Sequence, residues 1–360
     1  MSGDLATSPV GSWARPIAAR VLPRLAEPLA AVMIAFVLGG LLVLLLGYNP
    51  LLVYATLLRG SLIGWPNVLA TLQMMSPLLF TGLAVSLSLR AGLINVGAEG
   101  QMLIGGLCAG VVGYAVRLPA PLAAPTCLVA AMLGGALWAA LPAWLRVSYS
   151  VSELVVCLMM NPIAKLLTSY LATRPLKAPG PTNKLPDISA AAGLTNFSIF
   201  AQVNTGLLIG LLLCGAFAVV NLRTRPGLEW KLMGLNARFA HYSGIQVRRR
   251  AVAIMLISGA VAGLAGAEQV LGEYHAFYDS FSPGYGFDGI AVAMLAKLNP
   301  IGVIFAAFLF GALNSGGDVL QMLTGVDKDL VRVLQFIIVL VLSARPSWRW
   351  YKAWREASRP

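Results

Sequence analysis

The chain is predicted to be all-α: a polytopic membrane protein with about ten transmembrane helices. Two facts of composition carry that expectation. Of its 360 residues 58% are hydrophobic and only 11% are charged, against roughly 25% charged in an ordinary soluble domain. The third observation is patterning, because apolar runs near the ~20 residues that a helix needs to cross a bilayer recur along the chain. The net charge of +12 does not argue for nucleic acid as a partner, since the basic residues scatter over short loops instead of gathering on one face. Cys108, Cys127, Cys157 and Cys214 fall in apolar segments at spacings that match no zinc or redox motif. They read as small core hydrophobes.

The elements follow in order. A segment over 1–28 carries Arg15, Arg20 and Arg24 and precedes a membrane domain over 29–344. The first apolar run, about 29–47, is followed by an interfacial stretch with Arg59 and Trp65. A second covers about 67–89 and stops at Arg90. After AGLINVGAEG come runs three and four, about 101–116 and 121–141. Run five, about 151–173, is interrupted by Asn161-Pro162, where proline removes a backbone hydrogen bond and kinks a helix. A hydrophilic loop fills 174–202, and run six covers about 203–222. The loop 223–250 holds seven Arg or Lys residues, and runs seven to ten lie at about 251–271, 286–298, 300–316 and 330–344. A basic tail over 345–360 closes the chain.

Charge orients these runs. With both termini on the cytoplasmic side, 18 of the 26 Lys and Arg residues face the cytoplasm and six face outward, as the positive-inside rule requires. The 223–250 loop is then cytoplasmic, and lipid cannot solvate it. Its mixture of basic and apolar residues reads as a docking element.

Two stretches depart from plain spanning helices. One is 91–101, where glycines punctuate a segment carrying Asn95, Glu99 and Gln101; the other is 284–298, short for a span, with Phe287 and Asp288 near its glycine-rich start. Short, glycine-interrupted segments in two halves of a transporter point to discontinuous helices at a central pathway. Close helix packing by small residues is the competing account. The triplet Gly-Ala-Glu occurs at 97–99 and again at 266–268, an echo that an inverted repeat would produce.

Glu99, Glu153 and Glu268 lie in or beside apolar segments, where an unpaired carboxylate costs several kcal/mol. They either line a polar path or cap and pair within the bundle; for Glu153, following Ser152 at a helix start, the capping account is favoured. Asn161 is a candidate solute contact, and Lys165 is expected to snorkel outward. The chain has no G-x-x-x-x-G-K-[ST] loop, H-E-x-x-H or G-x-S-x-G. It is therefore not expected to be an enzyme or to need a cofactor, and two histidines are too few for a multi-His metal site. A transport subunit, an ion-coupled transporter and a membrane enzyme remain open on residues alone.

The stretch GLNARFAHYSGIQVRRR (234–250) followed by SGAVAGLAGAEQVLG (258–272) resembles the coupling region of permease subunits of bacterial ABC importers. The branch takes in branched-chain amino acid, simple-sugar and nucleoside systems. AGLINVGAEGQMLIGG (91–106) and GYGFDGIAVAMLAKLNPIG (284–302) are most similar to its nucleoside-type members. VSELVVCLMMNPIA (151–164) fits too, with Asn-Pro where Asn-Tyr is more usual. The resemblance implies a multi-pass subunit of the bacterial inner membrane that transports a nucleoside or, as the alternative, a simple sugar. It implies as partners cytoplasmic ATPase subunits, a second related permease in a heterodimer, and an extracytoplasmic solute-binding protein. It also implies a coupling helix at about 229–242, with Gly234 and Gly244 bracketing Leu235, Asn236, Phe239 and Tyr242. Leu235, Phe239 and Tyr242 can then form one apolar docking face. The pathway candidates are Asn95, Glu99, Gln101, Asn161, Glu268, Phe287 and Asp288.

Overall fold

The computed structural model describes residues 33–197 and 203–343; the segment 1–28, the start of the first apolar run and the basic tail 345–360 lie outside them. The described residues form α1 (Met33–Leu45), α2 (Pro50–Leu62), α3 (Trp65–Arg90), α4 (Ala98–Ala115), α5 (Ala120–Tyr149), α6 (Glu153–Thr173) and α7 (Thr205–Arg223). The chain continues through α8 (Arg225–Leu235), α9 (Ala237–Tyr242), α10 (Val247–Glu268), α11 (Tyr285–Leu295), α12 (Pro300–Thr324) and α13 (Asp329–Ser343). Among the described residues no strand forms. Isolated bridges pair Lys184 with Tyr278 and Asn196 with Asn204.

Six helices, α3, α5, α6, α7, α10 and α12, are long and apolar enough to cross a membrane. The others are unequal to them. With 11 residues, α11 is about 16 Å long, half of a ~30 Å hydrocarbon core. Pro162 lies inside α6 without ending it.

The bundle is organised around α3, in which every residue from 75 to 88 is buried. A helix that is apolar on all sides is enclosed on all sides, and α4, α10, α11 and α12 pack around it. Where α4, α5 and α10 meet, backbone touches backbone. A Cβ on Gly105 would collide with Gly263, and one on Gly135 with the carbonyl of Gly259. With no water to expel between lipid-borne helices, such close van der Waals approach is what holds them together.

The stretch around Arg59, expected to lie at the interface, forms the short apolar helix α2. Asn49 caps it by accepting the Leu51 N–H at 3.0 Å. Buried Val53 and Leu57 turn inward, and Gly60 sits against Val319 of α12. A single arginine is compatible with an apolar helix when its remaining face finds a partner helix.

The hydrophilic loop after α6 is strapped to the segment before α11. Leu185 donates its N–H to the Phe277 carbonyl at 2.9 Å, Ile188 to His275 at 3.0 Å and Asp279 to Asn183 at 2.9 Å. Ser189 binds the Gly113 carbonyl near the end of α4 at 2.9 Å. These bonds satisfy irregular backbone that covers the bundle.

Candidate functional site

The site is built on the non-helical connection between α3 and α4. At the end of α3, Gly92 takes a left-handed φ of +78°. Its N–H binds the Leu89 carbonyl at 3.0 Å, and the Leu93 N–H binds that of Ser88 at 3.0 Å. This is the Schellman stop, which favours glycine because a Cβ disfavours that backbone conformation. The chain then runs inward, and polar side chains from three helices hold it. Glu153 of α6 accepts the Ile94 N–H at 3.3 Å while pairing with Arg146 at 3.1 Å. Asn95 donates to Ser258 of α10 at 2.8 Å and exchanges two 2.9 Å bonds with Gln101. Asn161 of α6 donates to the Val96 carbonyl at 2.9 Å and accepts the Gly100 N–H at 3.0 Å. Buried irregular backbone is tolerated only when its polar groups are met in this way.

From this connection α4 starts inside the bundle, and its first turn presents Glu99. The Glu99 carboxylate accepts the Gly286 N–H, in the first turn of α11, at 2.7 Å. One carboxylate thus serves two helix N-termini, where the macrodipoles favour negative charge. Gly286 must be glycine for α11 to come this close, since a Cβ there would strike the Glu99 backbone. Ser282 accepts the N–H groups of Gly284 and Tyr285 at 3.2 and 3.3 Å and fixes the entry to α11.

Beside this junction lies a cavity of about 350 Å³, bounded by Glu99, Asn161, Lys165, Ser282 and Phe287 among others. It falls in the size range of small-ligand pockets. Its wall combines an aromatic ring, a flexible ammonium group and hydroxyls. Phe287 is 44% exposed.

The candidates of the sequence reading divide. The structure brings Glu99, Asn161 and Phe287 together at the cavity. Asn95 and Gln101, each 1% exposed, turn inward and saturate one another. Glu268 is held away by Asn204 at 3.0 Å and Gln269 at 2.9 Å. It closes α10 before a π turn over Gln269–Tyr274, whereas Glu99 opens α4. The two Gly-Ala-Glu triplets therefore occupy unlike positions. Asp288 lies outside the cavity lining, while Lys165, exposed, borders the cavity. Its place was legible in one respect: it follows Asn161 by four residues, one turn along the same helical face. Ser258 gave no signal, being one serine in an apolar helix.

The 223–250 loop folds as two helices, where the sequence suggests one over about 229–242. Asn236 breaks them, capping α9 by accepting the Phe239 N–H at 3.0 Å. Gly234 lies within α8, while Gly244, with φ +83°, follows α9. Trp230 and Met233 anchor α8 in the core, and Glu229 pairs with Arg250 of α10 at 2.5 Å. Leu235, Phe239 and Tyr242 remain 73%, 57% and 88% exposed. Apolar side chains at such exposure on a basic surface form an uncovered patch.

A helical membrane protein with broken helices around a cavity has the architecture of a transport protein. Residues 67–343 match the family described as branched-chain amino acid transport system / permease component, and the chain belongs to that family. It is the permease subunit of an ABC importer. The chain is 34% identical over 328 residues to the guanosine ABC transporter permease protein NupP of Bacillus subtilis, covering 90% of this chain and 94% of the relative. It is 32% identical over 338 residues to a glucose ABC transporter permease protein of Haloferax volcanii, covering 90% and 88%. A second guanosine ABC transporter permease protein of Bacillus subtilis, NupQ, is 27% identical over 283 residues, covering 77% and 88%.

Proposed function

We propose that this permease forms the pathway for a nucleoside, and that the solute passes the cavity between α4, α6 and α11. The cavity wall carries the reading. Phe287 offers a face on which a base can stack, while the Lys165 ammonium offers hydrogen bonds to sugar hydroxyls and ring acceptors. The similarity to a guanosine permease supports the same solute class. Separate ATPase subunits supply the energy and seat against Leu235, Phe239 and Tyr242. An extracytoplasmic binding protein delivers the solute. A second, related permease completes a heterodimer, a reading supported by the two guanosine permeases of Bacillus subtilis that this chain resembles. The charge asymmetry supports ten crossings with both termini in the cytoplasm.

A simple sugar is the second reading, favoured by the similarity to a glucose permease. The test is uptake of labelled guanosine by the complete transporter in vesicles, with its binding protein outside. Unlabelled nucleosides are expected to compete and glucose is not. Absence of guanosine uptake, with labelled glucose taken up in its place, would assign the sugar and overturn the nucleoside.

A further inference from the structure

The coupling region and the cavity are joined by one short piece of chain. Gly234 of α8 lies directly on the turn that ends α3. A Cβ there would collide with the Arg90 carbonyl oxygen and come within 3.2 Å of the Gly92 nitrogen, while a Cβ on Gly92 would meet the Gly234 Cα at 3.1 Å. No side chain intervenes, so the contact has no soft element to absorb a displacement. Seven residues beyond Gly92 stands Glu99, whose carboxylate holds the start of α11 at the cavity.

The intervening connection has little slack. Ile94, Asn95 and Val96 are each bound by a side chain of another element, namely Glu153, Ser258 and Asn161. Ser258 itself donates to the Ala84 carbonyl of α3 at 2.7 Å. Strap, α3 and α10 therefore share one buried hydrogen-bonded knot. Such a network resists gradual distortion, because breaking one member leaves buried polar groups unmet.

We infer that residues 91–97 are a transmission strap, with Gly92 and Gly234 as positioning residues that pass movement of α8 through Asn95 to Glu99, α11 and Phe287. The inference rests on the cavity being the pathway and on α8–α9 being the surface that the ATPase moves. Packed elements with two arrangements can carry coupling between sites, and here the connection is covalent and only seven residues long. The seat of the ATPase and the strap are separable: Leu235, Phe239 and Tyr242 face outward, while Gly234 faces Gly92.

The test uses the complete transporter with Phe287→Cys in a background lacking the four native cysteines. A water-soluble thiol reagent reports the cavity with nucleotide absent and with ATP hydrolysis trapped. The reaction rate is expected to change between the two states. In Gly234→Ala that change should be lost, with ATPase association and ATP hydrolysis kept; in the transporter that retains Phe287, the same substitution should lower solute moved per ATP about tenfold, within the usual range of coupling between sites. Ser258→Ala, remote from the glycine contact, should weaken the response in the same direction and serves if Gly234→Ala does not assemble. An undiminished change in either assembled variant would overturn the strap. A cavity that never responds in the parent would instead overturn the cavity as the pathway, and loss of ATPase association in Gly234→Ala would count against the separation of seat and strap.

Discussion

Glu99 is the residue on which the arrangement turns. It is buried, it stands in the first turn of α4, and it holds the first turn of α11. A leucine of similar volume would leave the Gly286 N–H without an acceptor, at a cost of about 1–3 kcal/mol. Glu99→Leu is therefore expected to lower the midpoint of thermal unfolding in detergent and to abolish uptake. Glu99→Gln keeps a carbonyl oxygen for that N–H and should recover most of the stability. Equal midpoints for the leucine and glutamine variants would remove Glu99 from this role. Asn95, four residues earlier, does something different: its amide meets Ser258, Gln101 and the Gly97 N–H at once, and no polar atom is spared for a solute.

Among the elements, α9 is the one without an internal reason for its surface. It has six residues, and among them only Ala240 is buried. A helix of that length has little stability of its own, so Asn236 as its cap and α8 as its anchor must hold it. Replacing Leu235 and Phe239 together by aspartate would place two charges where an apolar seat is expected, and desolvating each costs several kcal/mol. The double variant should insert normally, fail to retain the ATPase in a pull-down and lose uptake. Retained ATPase with normal uptake would exclude α9 as its seat. Asn236→Ala is a milder probe. It removes a cap at a cost of about 1 kcal/mol and should weaken retention partially, measured as faster ATPase dissociation.

At the scale of the molecule, the basic loop, Arg90 and Arg146 meet at one end of the bundle. Gly234 of the basic loop touches Arg90, and Arg146 pairs with the glutamate that holds Ile94, two residues from Gly92. Lys184 lies in the loop strapped to the opposite end of α4, where it pairs with Asp187 at 2.6 Å and stands over Tyr278. A reporter at Lys184 should thus be labelled from outside and one at Arg225 only after the membrane is opened. The reverse pattern would overturn the orientation.

Composition and run length alone determined that this is a helical membrane protein and where most of its helices lie, because the need to satisfy every backbone group in lipid leaves little other choice. Its glycine-broken stretches also announced that α4 and α11 begin unusually, since glycine marks where a chain leaves regular geometry. Which polar side chain faces the cavity was decided only by tertiary structure. In a helix apolar on all sides, hydrophobic periodicity carries no direction. Asn95 and Gln101 therefore looked like Glu99 in the sequence until packing turned the first two toward each other and Ser258, and the third toward α11. The contact of Gly92 with Gly234 was equally invisible, because neither residue has a side chain to advertise a partner 142 positions away.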